Sequence, residues 1–132
     1  MALVMKKTLL DAQLQPEDIS YINAHGTATA QGDIAETNAT YDVFGSNIPI
    51  SSIKSYTGHT LGACGAIEMI LSIMMMNNNW FCPTLNLKNI DENCGKLDYI
   101  RDLGREINAK YIMTNNFAFG GINTSFFVIF LI

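Results

Sequence analysis

The run from Ala66 to Met76 constrains the fold more than any other part of this sequence. It is apolar on nearly every side of a helix, and Glu68 is its only charged residue. It falls well short of the roughly 20 residues needed to cross a bilayer, so no transmembrane reading holds. A helix of about Ala63 to Met76 with this pattern belongs in the middle of a protein, covered on more than one face. Glu68 within it needs a partner, because an unpaired buried carboxylate costs several kcal/mol or takes up a proton.

Strand and helix signals alternate around this segment. Ala2 to Leu14 carries apolar residues at three- and four-residue spacings, the pattern of an amphipathic helix, which Pro16 breaks. Ile19 to Ala24 reads as a buried strand that empties into the polar loop His25 to Gly32. Asp33 then caps a helix to about Phe44, with Glu36 completing a capping-box pattern and Gly45 ending it. Ile50 to Ile53 is a second strand, and the loop Lys54 to Gly62 leads into the apolar helix that Asn77, Asn78 and Asn79 stop. Trp80 to Asn108 reads as irregular, and Lys110–Asn115 with Asn123–Ile132 as a hairpin around Phe117–Gly121. The order favours an α/β fold, a mixed sheet covered by helices on both faces and closed by a C-terminal β-hairpin.

With 132 residues, 48% of them hydrophobic, residues 1–132 are read as one domain. A net charge of −4 provides no basic field for nucleic acid. Cys64, Cys82 and Cys94 are odd in number and lack metal or redox spacing, which points to reduced thiols and a cytoplasmic setting.

The chain has only two histidines, His25 and His59, each directly after an expected strand in a loop rich in Gly and Thr. Ligands of open α/β sheets bind at the carboxyl ends of strands, so the two loops are candidates for one site.

Three segments carry a resemblance. Tyr21-Ile22-Asn23-Ala24-His25-Gly26-Thr27-Ala28-Thr29, with Gly32, Asp33 and Glu36, resembles the first histidine motif of the β-ketoacyl-acyl-carrier-protein synthases. Ser51 to Glu68, with Lys54 and His59, resembles their lysine and second histidine motif, and Asn116-Phe117-Ala118-Phe119-Gly120-Gly121-Ile122-Asn123 their C-terminal glycine-rich loop. The order matches, and three motifs in register are a specific signal. The resemblance implies part of the carboxy-terminal half of a thiolase-like fold and an acyltransferase that performs a decarboxylative Claisen condensation on carrier-protein thioesters, in fatty acid or polyketide-like biosynthesis.

In that chemistry His25 and His59 match the donors that stabilise negative charge on the malonyl thioester oxygen, each worth on the order of 3 kcal/mol. Lys54 is implied in an ion-paired network with Glu68 and Glu36, and Asn23 beside Glu68, where some members hold a monovalent or divalent cation. The reaction requires no cofactor, and no metal site is assigned. Phe119, Gly120 and Gly121 match the loop that gates the acyl pocket and forms its oxyanion hole. Implied partners are acyl carrier protein, an amino-terminal half that bears the nucleophilic cysteine, and a second copy in a dimer.

Departures from the family pattern are Ala118 for glycine, Asn116 for serine and Ile122 for threonine. Ala118 would stiffen any turn that needs positive φ. Cys64 stands where a small residue is usual and reads as a packed thiol. Without the other half, the chain is expected to be poorly stable and inactive. The alternatives are a non-catalytic fragment or partner subunit, and zinc ligation by His25, His59 and Cys64, which no compact ligand spacing supports.

Overall fold

The computed structural model describes residues 1–130. Helix α1 (Ala2–Ala12) ends at Gln13, whose left-handed backbone closes it with backbone N–H hydrogen bonds to the carbonyls of Leu9 and Leu10. A short 3-10 turn leads into β1 (Ile19–Asn23), followed by α2 (Ala30–Phe44) and β2 (Pro49–Ser51). A single helical turn, α3 (Lys54–Thr57), and a 3-10 turn at Leu61–Ala63 precede α4 (Cys64–Asn77). Then come β3 (Trp80–Phe81), β4 (Asp98–Tyr99), β5 (Arg105–Glu106), β6 (Tyr111–Phe117) and β7 (Asn123–Ile129).

The main sheet has the order β4-β2-β1-β6-β7. Its first four strands run parallel, and β7 returns antiparallel to β6 as the closing hairpin. β3 and β5 form a separate antiparallel pair. The twofold alternation of strand side chains sorts the core into two layers. Ile22 and Met113 join Met5 and Leu9 of α1 and Val43 and Phe44 of α2 on one face. Tyr21 and Ile112 meet Met76 of α4 and Phe81 of β3 on the other.

Helix α4 lies inside out relative to its composition. The residues it buries are Cys64, Glu68, Ser72 and Met76, a stripe spaced every four residues. Ser72 and Glu68 are 0% and 1% exposed, whereas Ile70 and Met74 are 59% and 55% exposed. The cover expected on more than one face is thus present on one only.

Four local expectations are corrected. Asp33 does not cap α2, because the helix starts a turn earlier with Thr29 at its N-cap, and Glu36 lies buried within it. The second strand stops at Ser51, since Ile53 and Lys54 already turn into α3. The stretch from Trp80 to Asn108 holds three short strands, whose pairing with distant segments leaves no local periodicity to read. Ala118 is extended, at φ −105°, and the positive φ values fall on Gly120 and Gly121, so its methyl carries no strain. The end of the expected hairpin, residues 131–132, lies outside the described residues.

Ile112→Ala should lower the free energy of unfolding by about 2–5 kcal/mol through the cavity it leaves. Met74→Lys should change it by less than about 0.5 kcal/mol. Urea unfolding followed by the fluorescence of Trp80, the one tryptophan, measures both.

Candidate active site

The carboxyl end of β1 and the start of α4 converge on a buried polar cluster. Lys54, at the first position of α3, forms an ion pair with Glu68 of α4, with side chains 4% and 1% exposed. The other Glu68 oxygen accepts from the Asn116 side-chain amide at 3.2 Å and faces the Asn23 amide at 3.5 Å. Asn23 also donates to Thr114 Oγ1 at 3.0 Å, and its own oxygen faces the Ile53 amide at 3.4 Å. One carboxylate therefore ties together β1, α3, α4 and β6.

His25 follows β1 directly, and its backbone is clamped. Glu36 of α2 accepts the amide of His25 on one oxygen and that of Gly26 on the other, both at 2.8 Å. Glu36 therefore holds the histidine loop, and Lys54 pairs with Glu68 alone among the described residues. Burial pushes the Glu36 carboxyl up to about 7, with the two amides and the Lys54 charge opposing. Gly26 completes the clamp. At φ +40° it passes so close to Ser52 that an added Cβ would lie 2.6 Å from the Ser52 Cβ, and its carbonyl accepts from Ser52 Oγ at 3.0 Å. The Asp33 carboxyl serves the far side of the loop, where burial raises its pKa and backbone hydrogen bonds from Ala28 and Thr27 oppose that rise in part.

The His25 and His59 rings stand edge to face, with centroids 5.3 Å apart. The His25 and Phe117 rings also meet edge to face, with centroids 6.2 Å apart. Burial depresses the His25 pKa to about 4, and the Lys54 charge and His59 add to the effect while a hydrogen bond with Asn116 opposes it. His25 is therefore neutral at pH 7. His59 Nδ1 accepts the Leu61 amide at 3.0 Å, which places a ring proton on Nε2 and turns a donor outward. An open cleft of about 770 Å³ runs beside His59, bordered by Gly26, Thr27, Ser52, Ser55 and Thr84.

The structure thus gathers His25, His59, Lys54, Glu68, Asn23 and Glu36 around the strand ends. Phe119 projects wholly into solvent beside Gly120 and Gly121. Two participants escaped the sequence reading. Asn116, noted only as a departure from serine, hydrogen-bonds Glu68 and accepts from Cys64 Sγ at 3.0 Å. Thr84, in the stretch read as irregular, accepts the Ser52 amide at 3.0 Å. No local pattern marks Thr84, whereas the position of Asn116 next to the glycine-rich motif was an available signal.

Comparison with known proteins bears on this arrangement. Residues 1–88 match the family described as Beta-ketoacyl synthase, C-terminal domain. The chain is 44% identical over 122 residues to 3-oxoacyl-acyl-carrier-protein synthase 2 of Coxiella burnetii, covering 90% of this chain and 29% of that protein. It superposes on the crystal structure of a β-ketoacyl synthase from Burkholderia phymatum STM815 with a TM-score of 0.94 and 57% identity, over 96% of this chain and 31% of that one. The ketosynthase assembly of a type II polyketide system, solved with its acyl-carrier protein and a hexaketide, matches at a TM-score of 0.93 and 37% identity, over 98% and 32%. The chain spans less than a third of the length of each of these proteins. Within that span, family motif, sequence identity and thiolase-like fold agree, and the chain belongs to the β-ketoacyl synthases, of whose C-terminal domain it carries a part.

Proposed function

We propose that this chain supplies the decarboxylation half of a β-ketoacyl synthase active site. The observation that carries the proposal is the neutral His25 imidazole set edge to face with His59, whose Nδ1 accepts the Leu61 amide and so leaves a ring proton on Nε2. A malonyl thioester bound between them loses carbon dioxide, the electrons of the broken C–C bond move onto the thioester oxygen, and the two ring N–H groups hold that charge. The enolate carbon then attacks an acyl thioester and releases a thiolate. Donors already fixed in place cost no reorganisation as the charge forms.

Lys54 acts by position. Burial does most to keep His25 from protonating and the Lys54 charge adds to it, while the pairing of Lys54 with Glu68 anchors α4 beneath the loop. Phe119, Gly120 and Gly121 would close over the acyl chain. The nucleophilic cysteine is assigned to a second segment, because Cys64 is buried and its thiol is held toward Asn116. The cleft beside His59 would admit the phosphopantetheine arm of acyl carrier protein. Assembly with that segment as a dimer would also cover the exposed apolar side of α4. No described helix is long and apolar enough to cross a membrane, and the proposed setting is the cytoplasm, in keeping with three free thiols.

In the assembled enzyme, His25→Ala or His59→Ala should slow malonyl decarboxylation on the order of 100-fold or more, with transfer of the acyl group to the nucleophilic cysteine largely intact. Equal loss of both steps would contradict the assigned roles, and no loss of either would favour a non-catalytic subunit.

A pH prediction follows from His25. Its pKa falls from 6.5 to about 4 on folding, so between those values the unfolded chain binds a proton that the folded chain does not. This contribution to stability is complete above pH 6.5 and is lost as pH drops through 4. The His25 ring resonances in an NMR titration should show a midpoint near pH 4, moving upward in Lys54→Met. A midpoint above pH 6 in the unaltered chain would contradict the neutral-donor account.

A further inference from the structure

The residue that the proposed chemistry leaves idle at this site is Cys64. It is the first residue of α4 and 5% exposed, and it belongs to the same polar stripe as Glu68. One donor atom each from His25, His59 and Cys64 lies within 4.8 Å of the other two. His25 also has a buried Nδ1 with no hydrogen-bond partner among the described residues. We infer that His25, His59 and Cys64 form a binding site for a thiophilic divalent cation, with zinc the best chemical match.

The donor set selects the ion. Two imidazoles and one thiolate suit zinc, whereas magnesium and calcium take oxygen ligands. With Zn–N near 2.0 Å and Zn–S near 2.3 Å, tetrahedral ligand atoms stand about 3.3–3.6 Å apart, so the cluster must contract by about 1 Å. His59 can provide that movement. It is exposed and follows Gly58, which sits at φ +71° with nothing within 4 Å of an added Cβ.

Binding requires three exchanges. Cys64 gives its thiol proton to solvent and releases Asn116 Oδ1. The coordinating nitrogen of each ring presents a lone pair. If His59 binds through Nε2, its proton moves to Nδ1 and the Leu61 amide turns to water, which is a small step because Leu61 is 77% exposed. Three protein ligands leave a fourth position open toward the exposed side of His59. Occupation of the rings by metal and their service as N–H donors exclude one another, so the ion would switch the site off. The binding claim itself rests on the three donor atoms and stands apart from the proposed condensation chemistry.

Titration of the chain with Co2+ is the direct test, because cobalt takes zinc sites and a cobalt–thiolate bond gives a near-ultraviolet charge-transfer band. One equivalent should produce that band, and Zn2+ should remove it. Cys64→Ala should abolish the band and His59→Ala should weaken cobalt binding at least tenfold, while the double variant Cys82→Ser, Cys94→Ser keeps both. As a check free of substitutions, Zn2+ should slow alkylation of Cys64 in the unaltered chain at least tenfold, read by peptide mass spectrometry. A band that survives Cys64→Ala, or no band at millimolar cobalt together with unprotected Cys64, would overturn the assignment.

Discussion

The buried ion pair between Lys54 and Glu68 is the interaction on which the rest of this structure depends. Taking both charges out of water costs several kcal/mol per ion, and their mutual attraction offsets this only when the remaining hydrogen-bonding capacity is met. On the carboxylate side it is met by the Asn116 amide on the second Glu68 oxygen, with Asn23 facing it. The requirement sets how α4 lies. Rotated to bury Ile70 and Met74 instead, the helix would take Glu68 away from Lys54, Asn23 and Asn116 together. The polar stripe therefore faces β6, and an apolar surface is left outside.

The same pair conditions the chemistry above it. A fixed positive charge near His25 works with burial to keep that ring neutral, while Glu36 orients the loop through its two backbone amides. The two carboxylates divide the work. Glu68 anchors the helix and the lysine, and Glu36 anchors the histidine.

Much of this was legible in the sequence, and the exceptions share a cause. Alternating strand and helix signals located β1, α2, α4 and the closing hairpin, and the placement of both histidines after strands marked the site. The need of Glu68 for a partner followed from its setting among Ile67, Met69 and Ile70. The orientation of α4 did not follow, because an apolar helix offers no moment to point it and the choice is made by contacts with Lys54 and Asn116, far away in the chain. Nor did the role of Glu36: its spacing from Asp33 imitates a capping box, but its acceptor bonds reach back to His25 and Gly26. The short strands β3, β4 and β5 take their shape from long-range pairing, and Ala118 resembled a strained glycine position only until its neighbours Gly120 and Gly121 were seen to supply the turn.

The central claim is that Lys54 and Glu68 act as one unit, and a double-mutant cycle on folding stability tests it most directly. Lys54→Met and Glu68→Met should each cost about 3–5 kcal/mol, since each leaves a buried charge unpaired. The double variant should cost at least about 2 kcal/mol less than the sum of the two. Additivity within about 0.5 kcal/mol would show that the two residues do not act as a unit, and would contradict the account.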